Sequence, residues 1–440
     1  MPSFAQNLFV TWSALTRTTE RGARRRGVGR FLPALFVDRF ASLGGIDKAV
    51  FTRRLDGCRT FRDQDWAAYW RRIADSHLAG ADQALAALGA PSVQALMDSD
   101  DTIASLGTAL APAATVLADR TPENGPTLVV EFCRRHPEHR AAATAVDELV
   151  KGMTYLFVAA WPGWTPQRLA AYDDSQRIFH VLLMALAPAL DLHVERIRLD
   201  IDGEQAVAYA VFAAAAGRQP TVLITNGLEG TVQEGLLPVL KHRDRGVALV
   251  VMEMPGTFQY TRRLSVETEH AYRAVIDQLC DHPRIDADRL GMLGLSFGAH
   301  WSTRMAARDP RLKAVVSNGG PYHHSFGLTG VFGMPEIMLW TLKKTTGAKS
   351  LAGLGRRLKS FDIKRLYGEI AVPLLVINGD SDTLISTQDS IDLAEAAPHG
   401  ELMLYPDDDH CAMGHYSAWL ELATHWIAEH LQGVSSGSSR

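Results

Sequence analysis

Cysteine is scarce: the 440 residues hold four, Cys58, Cys133, Cys280 and Cys411, far apart and never as a CxxC pair. That excludes a disulfide framework and the usual zinc-ligand spacing, and it leads to the expectation of a reducing, cytoplasmic home. Net charge is small as well, 45 Lys plus Arg against 49 Asp plus Glu. With no overall field to attract a polyanion, neither nucleic acid nor an anionic membrane is an expected partner. Apolar runs are short. The cluster Arg24 to Arg26 is followed by FLPALFV at 31–37, which starts like a signal peptide, but Asp38 and Arg39 end it after seven residues. A signal segment is therefore not read there. Nowhere else do about 18 apolar residues run uncharged, so no transmembrane helix is expected.

What is present is ordinary globular material, 47% apolar and 21% charged, enough at about 150 residues per unit for two or three units. The first 190 residues read as helical. From Asp65, the positions Trp66, Tyr69, Trp70, Ile73, Ala74, Leu78, Ala81, Leu85 and Leu88 repeat at three and four, the stripe of one long helix. Gly89 and Pro91 should end it. A second stripe runs from Val146 to Phe157. Thr165-Pro166 has the form of a helix start, and Ile178 to Leu186 continues an apolar helix. The aromatic stripe is read as core.

After Asp191 the rhythm changes to short β-rich runs: 194–201, 206–213, 221–225, 248–252, 290–293, 314–317, 374–377 and 402–404. The first two flank Asp202-Gly203 and suit an antiparallel hairpin. The rest are nearly all apolar and separated by helix-length segments, as strands buried on both faces of a parallel sheet must be. An α/β sheet with helices on both faces is expected over 191–432. Residues 433–440 are small and polar and read as a disordered tail.

The strongest motif is Gly294-Leu295-Ser296-Phe297-Gly298. Placed between a strand and a helix, two glycines permit a sharp turn that lifts the serine hydroxyl above the sheet, with the Phe297 N–H facing an attacked carbonyl oxygen. An acid and then a histidine should follow in chain order. The strand 374–377 leads into Asp380 and Asp382, and the strand 402–404 into Asp407, Asp408, Asp409 and His410. The assignment is Ser296 as nucleophile, His410 as general base then acid, and Asp382 holding the imidazole, with Asp380 as the competing acid. The three aspartates before His410 read as loop-solvating. With His410 and His415 they lack the helical spacing of a metal site, and no metal is expected. The loop after the third strand, Asn226 to Thr231, should bring the second oxyanion donor, the Leu228 N–H, with Gly227 allowing close approach. Glu229 reads as a helix N-terminal acid, or else as a substrate contact. His323 and His324 fall where a lid insertion, roughly 321–370, would sit, and His323 is a weak candidate for touching substrate.

These residues resemble the α/β-hydrolase superfamily. Gly294 to Trp301, the stretch Asp309 to Gly320, Asn226 to Thr231 and the pair His410-Cys411 are similar to the branch that holds FrsA-like esterases, 2,6-dihydroxypseudooxynicotine hydrolase and fungal polyketide-shortening hydrolases. The resemblance implies a helical N-terminal domain before the hydrolase core, and a triad on Ser296, Asp382 and His410. The chain departs from the branch at Ala299-His300, where a second glycine is usual. His300 is therefore expected near the pocket mouth, as a further substrate contact. The implied activity is that of a cofactor-free serine hydrolase acting on a bulky apolar or aromatic small molecule, a β-dicarbonyl cleaved at carbon–carbon or, alternatively, an ester or thioester. Elimination, cyclisation or an inactive binding protein on the same fold are the remaining readings. The helical domain is expected to cap the site or, alternatively, to form a homodimer.

Overall fold

A computed structural model describes residues 4–327 and 333–433; of the expected disordered tail, all but Gly433 lies outside the described residues. The helical stripes appear where the periodicity places them. Asp63–Ala87 is one helix of 25 residues, followed by Gly89 at a positive φ of 64°. It packs along Arg140–Ala160. The helix Pro166–Leu186 starts on its proline, although the Thr165 hydroxyl makes no capping bond. The aromatic stripe forms core, as expected from its type: Trp66 and Trp70 are fully buried. Trp66 also donates its indole N–H to the Val158 carbonyl at 2.8 Å, which satisfies a group otherwise costly to bury. One stretch departs from the sequence reading. Asp100–Ala118 is long and apolar enough to cross a membrane by length and composition. Here it is interrupted around Pro112 and packs on Pro166–Leu186 and Arg140–Ala160.

The change of rhythm at Asp191 is a change of architecture. Asp191 takes a left-handed conformation, and eight strands follow: β1 (Leu192–Ile201), β2 (Glu204–Ala213), β3 (Gln219–Thr225), β4 (Ala248–Met252), β5 (Ile285–Leu295), β6 (Leu312–Asn318), β7 (Leu374–Gly379) and β8 (Gly400–Tyr405). They form one sheet in the order β1-β2-β4-β3-β5-β6-β7-β8. β1 and β2 make the expected hairpin across Asp202-Gly203, both at positive φ, as a two-residue turn matching strand twist requires. β2 is also antiparallel to β4, and every other pair is parallel. β3 is flanked by β4 and β5, so the chain reverses its direction of travel there. Open α/β sheets bind ligands beyond the strand ends at such a switch point.

The helices of the N-terminal part share an apolar cluster with one face of the sheet, reaching Val222, Ile224, Val251, Leu293 and Leu375 without a break. Polar groups cross the same seam. Buried Glu253, just past β4, accepts the Tyr172 hydroxyl at 3.0 Å on both oxygens. Burial pushes its carboxyl up to about 8. The folded state therefore holds a proton that the unfolded chain releases near pH 4.5. Stability from this group is complete at acid pH and is lost as pH rises through about 8. Glu253→Gln should flatten that fall: between pH 5 and 9 the wild type is expected to lose roughly 2 to 4 kcal/mol more than the variant, read as thermal midpoint against pH. Parallel curves would show that Glu253 is charged throughout.

Candidate active site

Ser296 sits between the end of β5 and the helix Phe297–Arg308, at φ 55° and ψ −124°. A non-glycine residue rarely adopts this conformation, and surrounding packing must hold it. Glycine is required beside it: a Cβ on Gly298 would collide with the Thr225 carbonyl oxygen. The Ser296 N–H is fixed by the Asn318 carbonyl at 2.8 Å. Ser296 Oγ lies 2.8 Å from His410 Nε2, and His410 Nδ1 lies 2.8 Å from Asp382 Oδ2. Since the carboxylate accepts from Nδ1–H, Nε2 presents its lone pair to the serine hydroxyl.

The three side chains come from separate loops at one edge of the sheet, and the supports of each explain its placement. The Asp382 side chain is fully buried. Its oxygens accept from the Leu384 and Ile385 N–H groups at 2.8 and 2.9 Å and from Asn378 Nδ2 at 2.9 Å. Asn378 also accepts the Cys411 N–H at 3.0 Å, tying the acid to the histidine loop. Asp380 is exposed and accepts from Ser381 Oγ and the Asp407 N–H instead, two residues too early to reach the ring. After His410 the backbone kinks, with Cys411 and Ala412 at positive φ. Burial opposes charge on the imidazole, but the Asp382 carboxylate more than offsets it and holds His410 well above its usual range.

The loop after β3 folds over the serine. A Cβ on Gly227 would lie 2.6 Å from Ser296 Cβ and 2.9 Å from the Phe297 nitrogen, so only glycine admits this approach. Leu228 lines the cavity beside Ser296, and its N–H has no acceptor among the described residues. Phe297 opens a helix, where N–H groups have no intrahelical partner. Two lobes of the cavity meet at Ser296 and His410. One, of about 100 Å³, takes walls from Leu32, Leu35, Phe36, Arg39 and Trp161 of the N-terminal helices. The other, of about 70 Å³, is walled by Phe297, Phe326, Met334, Met338, Leu342 and Leu358, largely from the insertion after β6, where the helices Glu336–Thr346 and Leu351–Lys359 lie.

Several expected residues lie elsewhere. Glu229 is fully buried but lines neither lobe; it neither caps a helix nor meets the cavity, and instead accepts the Gly163 N–H at 2.8 Å across the seam. Burial pushes its carboxyl up to about 7. His300 is not at a pocket mouth. The helix turns it inward, where it is fully buried, packs against Phe297, Phe326 and Phe361, and bonds the Pro321 carbonyl at 3.0 Å through Nδ1. His323 and His324 pair with Asp362 and Asp392 at 2.7 and 2.9 Å. The aspartates before His410 divide. Asp407 is solvated, but Asp408 closes the loop onto the Gly414 and His415 N–H groups, and Asp409 holds the Thr383 N–H and hydroxyl. Two residues went unread. Asp389, buried in the helix Thr387–Ala396, accepts the N–H groups of Tyr322, His323, His324 and Ser325 and pins the root of the insertion. Arg39 enters the cavity from the far N-terminal part. Neither has a local motif.

The chain can now be set beside known proteins. A family profile described as Esterase FrsA-like matches residues 130–432. Among curated proteins, Esterase FrsA of Photobacterium profundum is 28% identical over 288 residues, covering 62% of this chain and 67% of that protein. The 2,6-dihydropseudooxynicotine hydrolase of Paenarthrobacter nicotinovorans is 29% identical over 234 residues, covering 52% and 63%. The chain thus spans about two thirds of the length of these relatives. Among solved structures, AbyA5 superposes with a TM-score of 0.58 at 22% identity, covering 69% of this chain and 84% of its own. The structure of a 2,6-dihydroxy-pseudo-oxynicotine hydrolase gives 0.57 at 21% identity, covering 80% and 95%.

Proposed function

The chain belongs to the FrsA-like esterase family and is a hydrolase of α/β-hydrolase fold; on that premise we propose that Ser296, His410 and Asp382 are its catalytic triad and that it cleaves a bulky, largely apolar carbonyl compound through an acyl-enzyme. The observation that carries this reading is the continuous relay from Asp382 through His410 to a strained Ser296, each link 2.8 Å. His410 Nε2 takes the hydroxyl proton as Ser296 Oγ attacks, and the charge developing on the carbonyl oxygen is met by the Leu228 and Phe297 N–H groups. His410 then gives its proton to the leaving group, and water repeats the sequence to free the acid. The N-terminal helices serve as a cap: with the insertion they wall the site in apolar side chains and shut out bulk solvent, leaving room beside His410 for the single water that frees the acid.

The finer reading is hydrolysis of a carbon–carbon bond in a 1,3-dicarbonyl. It is supported by the likeness to a relative named as a pseudooxynicotine hydrolase and by the apolar lining of the two lobes. The chemistry also demands the second carbonyl, since a carbanion leaves only where it is stabilised as an enolate. Ester or thioester cleavage uses the same three residues. Product analysis by mass spectrometry separates the two, with the full chain given aryl 1,3-diketones and esters of matched size. Turnover of the diketones should yield one carboxylic acid and one ketone per cleavage. Turnover of the esters alone would replace carbon–carbon cleavage by esterolysis, and turnover of neither would remove the triad assignment.

A further inference from the structure

Beyond its apolar walls and the groups around Ser296 and His410, the lobe walled by the N-terminal helices is lined by Arg39, Glu234 and Tyr416. The same three side chains form the wall of a second, smaller cavity of about 30 Å³ between Leu43, Leu117, Val150 and Pro238. They are therefore the partition between the space over Ser296 and a recess behind it. A charged pair at such a place is costly unless its bonds are made. Most are. Arg39 Nε and Nη2 engage both carboxylate oxygens of Glu234, Nη2 at 2.7 Å, and Nη2 also donates to the Glu229 carbonyl at 3.0 Å. The guanidinium lies against the Phe40 and Phe157 rings, 5.1 and 5.4 Å from their centroids. The Nη1 group is left without an acceptor among the described residues, and so is the Tyr416 hydroxyl.

We propose that Tyr416 and Arg39, the latter held in place by Glu234, form a carbonyl-recognising subsite of the catalytic cavity that selects substrates bearing a neutral ketone or ester oxygen besides the carbonyl under attack. The inference rests on Ser296 and His410 being the reacting centre. Two unpaired donors in the lining of a largely apolar lobe reward an acceptor oxygen and penalise a substrate that leaves them empty. The oxygen is neutral because the Arg39 charge is already offset by Glu234, whose carboxylate would repel a second anion. Arg39 lies outside residues 130–432, which match the family profile, whereas Glu234 and Tyr416 lie within them, so the subsite joins the N-terminal part to the hydrolase core.

The test uses the full chain and matched ester pairs. p-Nitrophenyl pentanoate and heptanoate are compared with their 4-oxo and 6-oxo counterparts, and acetates of simple alkanols with acetates of keto-alcohols. The wild type should favour the keto member of at least one pair by about tenfold in kcat/KM, mainly through KM, the worth of one charge-assisted hydrogen bond. Tyr416→Phe, which keeps the ring, and Arg39→Met should each bring that ratio to about threefold or less. Should Arg39→Met fail to fold with Glu234 unpaired, the double variant Arg39→Met with Glu234→Leu replaces it. No keto preference on any pair, or equal losses on both members of a pair, would overturn the subsite. A stronger preference for the mono-p-nitrophenyl ester of glutaric acid would overturn the neutral-oxygen assignment. Failure of the wild type to hydrolyse any of these esters would instead strike esterolysis in the reading beneath it, and the same ratios would then be read on 1,3-diketones with and without a further ketone.

Discussion

Ser296→Ala is expected to lower turnover by roughly 10⁴- to 10⁶-fold while leaving the fold intact. The magnitude follows from removing the attacking atom. What remains is the cavity and two N–H groups, which bind a carbonyl but cannot form an acyl-enzyme. The stability forecast follows from the site's construction. The serine hydroxyl bonds His410 Nε2 and packs no core, whereas the strained backbone at φ 55° is held by its neighbours and is the same for alanine. The thermal midpoint should stay within about 2 °C of wild type. Labelling by a fluorophosphonate should disappear together with hydrolysis of any substrate that the wild type accepts. A variant that retains near-normal turnover would remove Ser296 from the mechanism, and a wild type that resists the label would point the same way.

The parts of this structure written in local pattern were legible. All eight strands announce themselves as short β-rich runs, most of them nearly all apolar, and the elbow, the acid loop and the histidine follow in chain order because each sits at the end of such a run. Boundaries shifted where polar residues pair at the sheet margin: β5 begins at Ile285 rather than Leu290, its first part only half-buried. Asp382 rather than Asp380 meets His410 because the turn after β7 carries the chain two residues further before a side chain faces the ring. What stayed hidden depends on contacts far apart in sequence. Arg39 and Glu234 are 195 residues apart, and no periodicity joins them. Asp389 looks like the polar face of a helix until the insertion root folds onto it. His300 misled for the opposite reason. Its residue type suggests a functional surface, but the helical register of Phe297–Arg308 turns it into a cage of aromatic rings.

Asp382→Asn should reduce kcat/KM by about 10⁴-fold, and Asp380→Asn by no more than about threefold. The difference lies in what each carboxylate touches. Asp382 accepts from His410 Nδ1, two backbone N–H groups and Asn378 within 2.9 Å, whereas Asp380 meets a serine hydroxyl and one loop N–H at the surface. An amide in place of Asp382 can turn its NH₂ toward Nδ1, favouring the tautomer whose Nε2 carries the proton and so cannot take one from Ser296. The pH dependence offers an independent reading. Activity needs the neutral imidazole, so the wild-type rate should rise as pH increases through the His410 pKa, which Asp382 holds above the usual value near 6.5. Without that negative charge, burial is the dominant influence left, and burial favours the neutral ring. The acid limb of the residual activity should therefore move to lower pH in Asp382→Asn and stay in place in Asp380→Asn. Near-normal turnover in the first variant, or a limb that does not move with it, would mean that another group carries the charge facing His410. A larger loss in the second would shift the catalytic acid by two residues.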